Sequence, residues 1–330
     1  MTDFTNGNGR VPTLHVVGDS IPQAYFRAMK AVWENGLAIR TEYDRKDNSG
    51  SYIDPPSRDA RVLIEVKDPF AQPRFPPISF CEIGVYIAEI MGLKDYRVVP
   101  FDKLREAVHG ELSAQEWPYT YHQRLFAHPC SDGSTLDQMA LAIERVVKTP
   151  HSRRAVASTA VPTVDPFLRE DIPCLREVQL RCPEDADGRL VLNMNTMWRS
   201  RDLYKAWGDN VIAITFLQQT IARTIAAASG REVRVGSYAD YSGALHIYGQ
   251  DFGAVGGDAE RGLHSFFETF DEEAFIARSL TSEMARDMLV LPQLQNLLTD
   301  RQREQWGFPP ESIALLESLI RDIENGDCMV

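Results

Sequence analysis

Between residues 20 and 36 the apolar positions Ile21, Ala24, Tyr25, Met29, Val32 and Trp33 recur at helical spacing and stop at Gly36. That spacing predicts a helix with a glycine end. Before it, a polar, glycine-rich start (Thr5-Asn6-Gly7-Asn8-Gly9) runs into Thr13-Leu14-His15-Val16-Val17, a short strand candidate. From Glu42 to Arg58 the pattern is lost: Asp, Asn, Ser, Gly and Pro dominate, and the stretch reads as a long loop, often a functional feature in a compact domain. Val62-Leu63-Ile64-Glu65-Val66 then predicts a strand. Residues 78–92 predict an apolar helix with two embedded acids, Glu82 and Glu89, seven apart and therefore on one face. Phe80, Ile83, Val85, Tyr86 and Ile87 predict that this helix is mostly buried, and a buried carboxylate needs partners or a task.

A further helix is predicted from Thr135 to Val147, capped by Ser134 or Thr135, with Asp137 in its first turn and Thr149-Pro150 at its end. His151-Ser152-Arg153-Arg154 follows, entering a strand; adjacent arginines there are either a solvated edge or anion ligands. Residues 175–182 and 190–197 alternate around Asp185-Ala186-Asp187-Gly188, a hairpin signal. Residues 210–229 predict a long apolar helix closed by Gly230, Val233 to Val235 lead toward a strand, and the chain from Glu260 onward reads as mostly helical. No internal repeat, low-complexity tract or interior linker interrupts the pattern, so residues 1–330 read as a single domain.

With 44% hydrophobic and 25% charged residues, a 330-residue chain can bury a large core. Its net charge of -12 argues against a nucleic-acid scaffold and leaves room for a small phosphate ligand at a local arginine cluster. The five cysteines, Cys81, Cys130, Cys174, Cys182 and Cys328, are odd in number and lack CxxC spacing, so free thiols are expected and a metal site is not. With no hydrophobic leader and no long uninterrupted apolar run, the expectation is a cytoplasmic protein with no membrane or DNA partner.

Three stretches carry the candidate chemistry. Cys174 follows Pro173 directly and precedes alternating apolar residues, which fixes a thiol at a strand mouth. Trp198-Arg199-Ser200-Arg201-Asp202 closes a second strand, and Leu245-His246-Ile247-Tyr248 lies on a third. A thiolate adds readily to an electron-poor ring such as C6 of a pyrimidine, turning C5 into a carbon nucleophile. Neighbouring arginines lower the thiol pKa and clamp a phosphate, and a buried glutamate can move a proton at the ring.

In order and spacing these residues resemble the thymidylate synthase family, which includes the pyrimidine-nucleotide hydroxymethylases. The resemblance is strongest from Asp137-Gln138 to Tyr248. It is carried by Ser152-Arg153-Arg154, Pro173-Cys174 with Gln179 five residues on, Arg199-Ser200-Arg201-Asp202, Asn210 eight residues after Asp202, and His246-Ile247-Tyr248. It implies an α+β fold, with a twisted, mixed, mainly antiparallel sheet flanked by helices and dimerising through the sheet. Cys174 is then the nucleophile, with Glu82 (or Glu89) and Tyr121 as further catalytic residues. Arg199 and Ser200 hold the nucleotide phosphate, as does Arg58, or Arg61, from a mobile loop. Arg153 and Arg154 reach the phosphate in the partner subunit's site, so the active sites of the homodimer are shared. Gln179 and Asn210 hold the base, His246 and Tyr248 the sugar, and Asp202 the reduced folate.

The chain departs from the family pattern in several ways, among them the loop after Asp202, Leu203 to Asn210, which lacks the family's glycine and proline at their usual places. Pro-Cys-His is here Pro-Cys-Leu, the glycine-threonine repeat of the phosphate loop is absent, and so is the tryptophan-rich acidic segment on the folate side, where Trp117, Trp198 and Trp207 are candidates to substitute. The co-substrate implied is 5,10-methylenetetrahydrofolate, with no metal, and the nucleotide a pyrimidine nucleoside monophosphate. An asparagine amide both donates and accepts, which matches N3–H and O4 of uracil, whereas aspartate at the same place suits the cytosine amine. Asn210 therefore points to dUMP and its methylation to dTMP, with a one-residue slip to Asp209 reversing the base. Hydroxymethylation of dUMP, dCMP or CMP is the alternative, and a non-catalytic nucleotide- or RNA-binding relative the remote one.

Overall fold

The helix expected after residue 20 forms as α1 (Ile21–Asn35). Ser20 caps it, its hydroxyl accepting from the Gln23 N–H at 3.4 Å; Pro22 sits in the first turn, where a missing N–H costs nothing, and the Gly36 N–H returns to the Val32 carbonyl at 2.8 Å. The computed structural model describes residues 9–78, 81–107, 112–113, 115–168, 172–253 and 263–330. Its strands are β1 (Thr13–Gly18), β2 (Leu37–Ile39), β3 (Ser57–Val66), β4 (His128–Pro129), β5 (Thr135–Leu136), β6 (Val156–Ser158), β7 (Leu175–Arg181), β8 (Leu190–Trp198), β9 (Arg201–Asp202) and β10 (Val233–Ile247). After α1 come α2 (Ile83–Ile90), α3 (Phe101–Ala107), α4 (Tyr121–Phe126), α5 (Gln138–Lys148) and α6 (Gly208–Ser229), then a helical C-terminal region ending in the helix Pro310–Glu324. Helix and strand are mixed, and the sheet is twisted and mainly antiparallel, which is the α+β class expected.

The chain forms two compact units, each from three segments. The first comprises Met1–Phe80, Trp198–Val211 and Ala239–Thr281. In it β1 runs parallel to β3 (Thr13↔Arg61 through Gly18↔Val66), and β2 pairs antiparallel with β3. Strand β10 lies beside β3, with the short β9 parallel on β10 at Leu245 and His246. Strand periodicity is plain in β3: Ala60, Val62, Ile64 and Val66 are fully buried, while Arg61 and Leu63 face outward. Helix α1 covers this sheet with Ile21, Ala24, Ala28, Met29 and Val32, each essentially without exposed surface. Tyr25 and Phe26 continue the core into an aromatic layer, Tyr25 stacking on Phe275 at 5.9 Å. Each buried Ile, Met, Val or Phe side chain among them stabilises the unit by about 1.5–3 kcal/mol.

The second unit comprises Cys81–Met197, Ile212–Tyr238 and Ser282–Val330. Its strand order is β10, β8, β7, β6, with β6 antiparallel to β7 (Val156↔Gln179 to Ser158↔Glu177). The predicted hairpin joins β7 to β8: the Asp185 N–H donates to the Arg189 carbonyl at 2.8 Å, and Gly188 takes the left-handed conformation at φ 77° that suits glycine. From Ile212 on, α6 is a core helix, burying Ile212, Ile214, Phe216, Leu217, Ile221 and Ile225. Its one fully buried amide, Gln218, donates to the Leu192 carbonyl at 2.8 Å and the Ser237 carbonyl at 3.2 Å. By length and apolar composition alone the stretch Leu203–Ser229 could cross a membrane, but most of it is buried inside the fold.

Three expected boundaries move. Helix 78–92 shortens to α2, Ile83–Ile90, leaving Glu82 as an exposed N-cap residue rather than a buried one, while Phe80 lies outside the described residues. The helix expected from Thr135 starts at Gln138, because Asp137 is the residue whose carboxylate accepts the Ala140 N–H, at 2.7 Å, and Thr135–Leu136 pairs with β4 instead. Strand β3 begins at Ser57, so Arg58 belongs to the sheet and not to the loop before it.

Candidate active site

In the first unit the parallel pairing of β9 with β10 sets Arg201 beside Leu245 and Asp202 beside His246, which joins two of the three stretches singled out in the sequence. The His246 ring packs edge-on against Tyr248 at 4.4 Å, and Tyr248 in turn meets Tyr43 at 6.1 Å. His246 Nδ1 lies 3.3 Å from the Ala244 carbonyl. A carbonyl only accepts, so Nδ1 carries the hydrogen and Nε2 is left as an acceptor. Burial lowers the His246 pKa below the ordinary histidine value, so the ring is neutral at physiological pH.

Asp202 is half-buried and caps the turn that follows, accepting the Lys205 N–H at 2.9 Å. Burial, reinforced by the nearby Asp251 carboxylate, pushes Asp202 up to about 6. Asp251, itself buried, is paired with Lys205 Nζ at 2.6 Å. Arg199 is exposed and Ser200 half-buried at the end of β8. Gly243 allows the strand to pass there, since a Cβ would stand 3.0 Å from the Arg199 carbonyl. On the first turn of α6 Asp209 is buried whereas Asn210 keeps partial exposure.

Arg58 is 4 % exposed, places its guanidinium 5.4 Å over the Trp33 ring and donates to the Gly36 carbonyl at 3.3 Å. Burial lowers it to about 10. A guanidinium enclosed in a sheet in this way is not the mobile-loop arginine expected at this position. The alternative, Arg61, is exposed on β3 and donates to the Val11 carbonyl. The loop's own arginines are held by acids: Arg45 lies against Asp54 at 2.5 Å and Arg40 against Asp44 at 3.1 Å.

The second unit holds the remaining predicted residues. Cys174 is half-buried directly before β7, between the buried Pro173 and the fully buried Leu175. Tyr121 opens α4, half-buried, with Thr120 as its cap. Arg153 and Arg154 are both exposed ahead of β6. Gln179 is not turned toward the strand mouth of Cys174. Its amide donates to the Arg153 carbonyl at 3.1 Å and accepts from Asn195 at 3.1 Å, on the open side of β7, while Val178 and Leu180 face the core. Glu89 is ion-paired with Lys94 at 2.7 Å, whereas Glu82 makes no cap bond to its helix.

Two clusters escaped the sequence reading. In the first unit Arg201 donates to Asp240 at 3.0 Å, Trp207 Nε1 donates to the same oxygen at 3.0 Å, and the Arg201 guanidinium stacks 3.6 Å over Trp198. All four side chains are buried. Tyr238, Asp240 and Ser242 share one buried strand face, and a charged residue at that parity was the available signal. In the second unit the buried Arg124 and Asp165 form an ionic cluster with the half-buried Arg176, described below. Among the described residues no group of three or more His, Cys, Asp or Glu could hold a metal ion.

The family model for thymidylate synthase matches residues 93–302. The chain belongs to the thymidylate synthase family. Proteins named "Putative thymidylate synthase" match at 25% identity over 236 residues in Methanococcoides burtonii and at 29% over 238 in Methanosarcina barkeri, each alignment spanning 72% of this chain and 90% of the relative. The corresponding protein of Methanothermobacter marburgensis is 34% identical over 134 residues, 41% of this chain and 52% of its own. Among solved structures, the thermostable thymidylate synthase A from Bacillus subtilis aligns with a TM-score of 0.47 at 19% identity, covering 70% of this chain and 81% of that one.

Proposed function

We propose that this chain transfers a one-carbon unit from 5,10-methylenetetrahydrofolate to C5 of a pyrimidine nucleoside monophosphate through a Cys174 adduct at C6, converting dUMP to dTMP. The observation that carries this reading is a half-buried cysteine at the mouth of β7, inside the segment that matches the thymidylate synthase family. Cys174 adds as thiolate to C6, and the electron pair displaced to C5 attacks the one-carbon donor. Tyr121 assists removal of the C5 proton, and the folate nitrogen leaves the one-carbon unit as an exocyclic methylene while sulfur is still bound at C6. Hydride from tetrahydrofolate to that methylene gives a methyl group and dihydrofolate as the electrons shift to expel Cys174; water adding in its place gives a hydroxymethyl group.

Glu82 is the carboxylate for proton transfer at the ring, because it stands exposed at the open end of α2 while Glu89 is committed to Lys94. Exposed Arg199 with Ser200, and exposed Arg153 and Arg154 from a second subunit, suit a phosphate. Asn210 rather than the buried Asp209 meets the base, which favours uracil. His246, as a neutral ring with Nε2 as acceptor, and Tyr248 hold a sugar hydroxyl, and Asp202 holds the pterin of the folate. The 330 residues work as one catalytic domain in a cytoplasmic homodimer.

The deciding experiment is mass analysis of the products from dUMP, dCMP and CMP with methylenetetrahydrofolate. A gain of a methyl group on dUMP is the expected result, and a hydroxymethyl product, or one from a cytosine nucleotide alone, corrects the reaction. If tritium is not released from the C5 position of any of the three, the enzyme reading is wrong. Cys174→Ser abolishes that release.

A further inference from the structure

We propose that Arg176, held by Asp165 and braced by Arg124, is the positioning cation of Cys174. This rests on Cys174 being the nucleophile and goes beyond that role, because the position after the cysteine carries Leu175, which brings no charge to the thiol.

All the parts belong to the second unit. Arg124 on α4 has no exposed side-chain surface and meets Asp165 at 3.1 Å, while its other branch reaches the Thr159 carbonyl at 3.4 Å. Asp165, 2 % exposed, shares its second oxygen between the Val161 N–H at 2.8 Å and Arg176 at 3.4 Å. The same Arg176 nitrogen lies 3.4 Å from the Pro173 carbonyl, so the guanidinium curls back against the residue immediately before Cys174. The backbone after the cysteine is fixed by the same loop. The buried Thr159 hydroxyl donates to the Leu175 carbonyl, and the Thr159 N–H donates to the Arg176 carbonyl at 3.1 Å. The peptide on each side of Cys174 is therefore tied to one assembly.

Two buried charges and a half-buried third are costly, and one carboxylate against two guanidinium groups leaves the cluster with an excess of one positive charge. A structural ion pair needs only one arginine. The second, Arg176, keeps a quarter of its side chain exposed and stands at the strand mouth, where positive charge favours a thiolate. Arg124 shares α4 with Tyr121, so the cluster also fixes the helix that carries the proposed proton-removing tyrosine.

The test measures iodoacetamide alkylation of each cysteine by mass spectrometry, independent of turnover. Exposed Cys81 is the internal reference, and buried Cys182 and Cys328 report loss of the fold. In Arg176→Met the rate at Cys174 relative to Cys81 falls about tenfold, the effect of one pKa unit on the thiolate population, and Arg176→Lys restores it. A wild-type ratio in folded Arg176→Met overturns the proposal. If that variant exposes Cys182 and Cys328, Arg176→Gln, which retains a donor for the Pro173 carbonyl, takes its place with the same two outcomes. Absence of tritium release by the wild type would refute the proposed reaction and leave this alkylation result standing on its own.

Discussion

Asp202 is placed where its own ionisation is opposed. Its folded pKa of about 6 stands above the ordinary carboxyl value of 3.8, so the folded state takes up a proton that the unfolded chain has released across that interval. Stability contributed at this residue is therefore full below pH 4 and declines as pH rises to 6, the reverse of a salt-bridged carboxylate. Asp202→Asn keeps the capping oxygen without the charge. Urea unfolding should show it more stable than wild type by about 2 kcal/mol near pH 7.5, with no difference near pH 4. The same substitution removes the group proposed to hold the folate, so activity falls while stability rises. Asp202 was legible because its spacing from Arg199 and Asn210 is a sequence property. The Arg201–Asp240 partnership was not, since 39 residues separate the two and only strand pairing brings them together.

Among elements, the β9–β10 pair depends on that hidden partnership. Arg201 lies next to Asp202 in the chain, and its guanidinium is fixed between the Asp240 carboxylate and the Trp198 ring. Removing either charge leaves the other buried, so Arg201→Met and Asp240→Asn should each lower unfolding free energy by roughly 3–5 kcal/mol. The double variant should cost clearly less than the two effects added, which a double-mutant cycle by chemical denaturation measures. Helix α1, the 175–197 hairpin and α6 were readable because periodicity and end signals agree there. The start of α5 was not, because Ser134, Thr135 and Asp137 are all good caps and tertiary pairing of β4 with β5 decided among them. The exposure of Glu82 was not decided by the sequence for a related reason: an apolar run predicts burial of the helix, but not of a residue that turns out to precede it.

For the molecule, each unit is assembled from three separated segments, and both α6 and β10 pass from one unit into the other along the chain. Removing residues 1–80 keeps all three segments of the second unit but strips α1, β1, β2 and β3 from the first, so the fragment 81–330 should lose the helix and sheet signal of the first unit. Circular dichroism of that fragment checks this. The open side of the second unit's strands carries exposed Val156 and Met197 beside Gln179 and Asn195. Under the dimer proposal that face is covered, and Met197→Glu should convert a dimer to a monomer in light scattering. If Arg153 and Arg154 serve the opposite subunit, mixing inactive Cys174→Ser with an inactive Arg153→Ala, Arg154→Ala variant should recover about a quarter of wild-type turnover, because half the dimers then contain one complete site. No recovery after exchange of subunits would mean that each chain supplies its own phosphate ligands. The partners of Gln179 on the open side of β7 were not readable from sequence, because a strand residue's neighbours across the sheet are set by register.

The residue after the His-Ile-Tyr strand limits how the long loop of the first unit can move. A Cβ at Gly249 would stand 1.8 Å from the Pro55 carbonyl, and the Gly249 N–H reaches the Ser57 hydroxyl at 3.3 Å. Backbone rests on backbone there, so the loop's exit and the turn beyond Tyr248 travel as one piece. Any excursion of the loop must pivot upstream of Pro55, around the segment that Arg40 and Arg45 fasten to Asp54. A fluorophore attached at Tyr43 or Tyr52 will sense that excursion when nucleotide is added, and one attached beside Gly249 will stay silent.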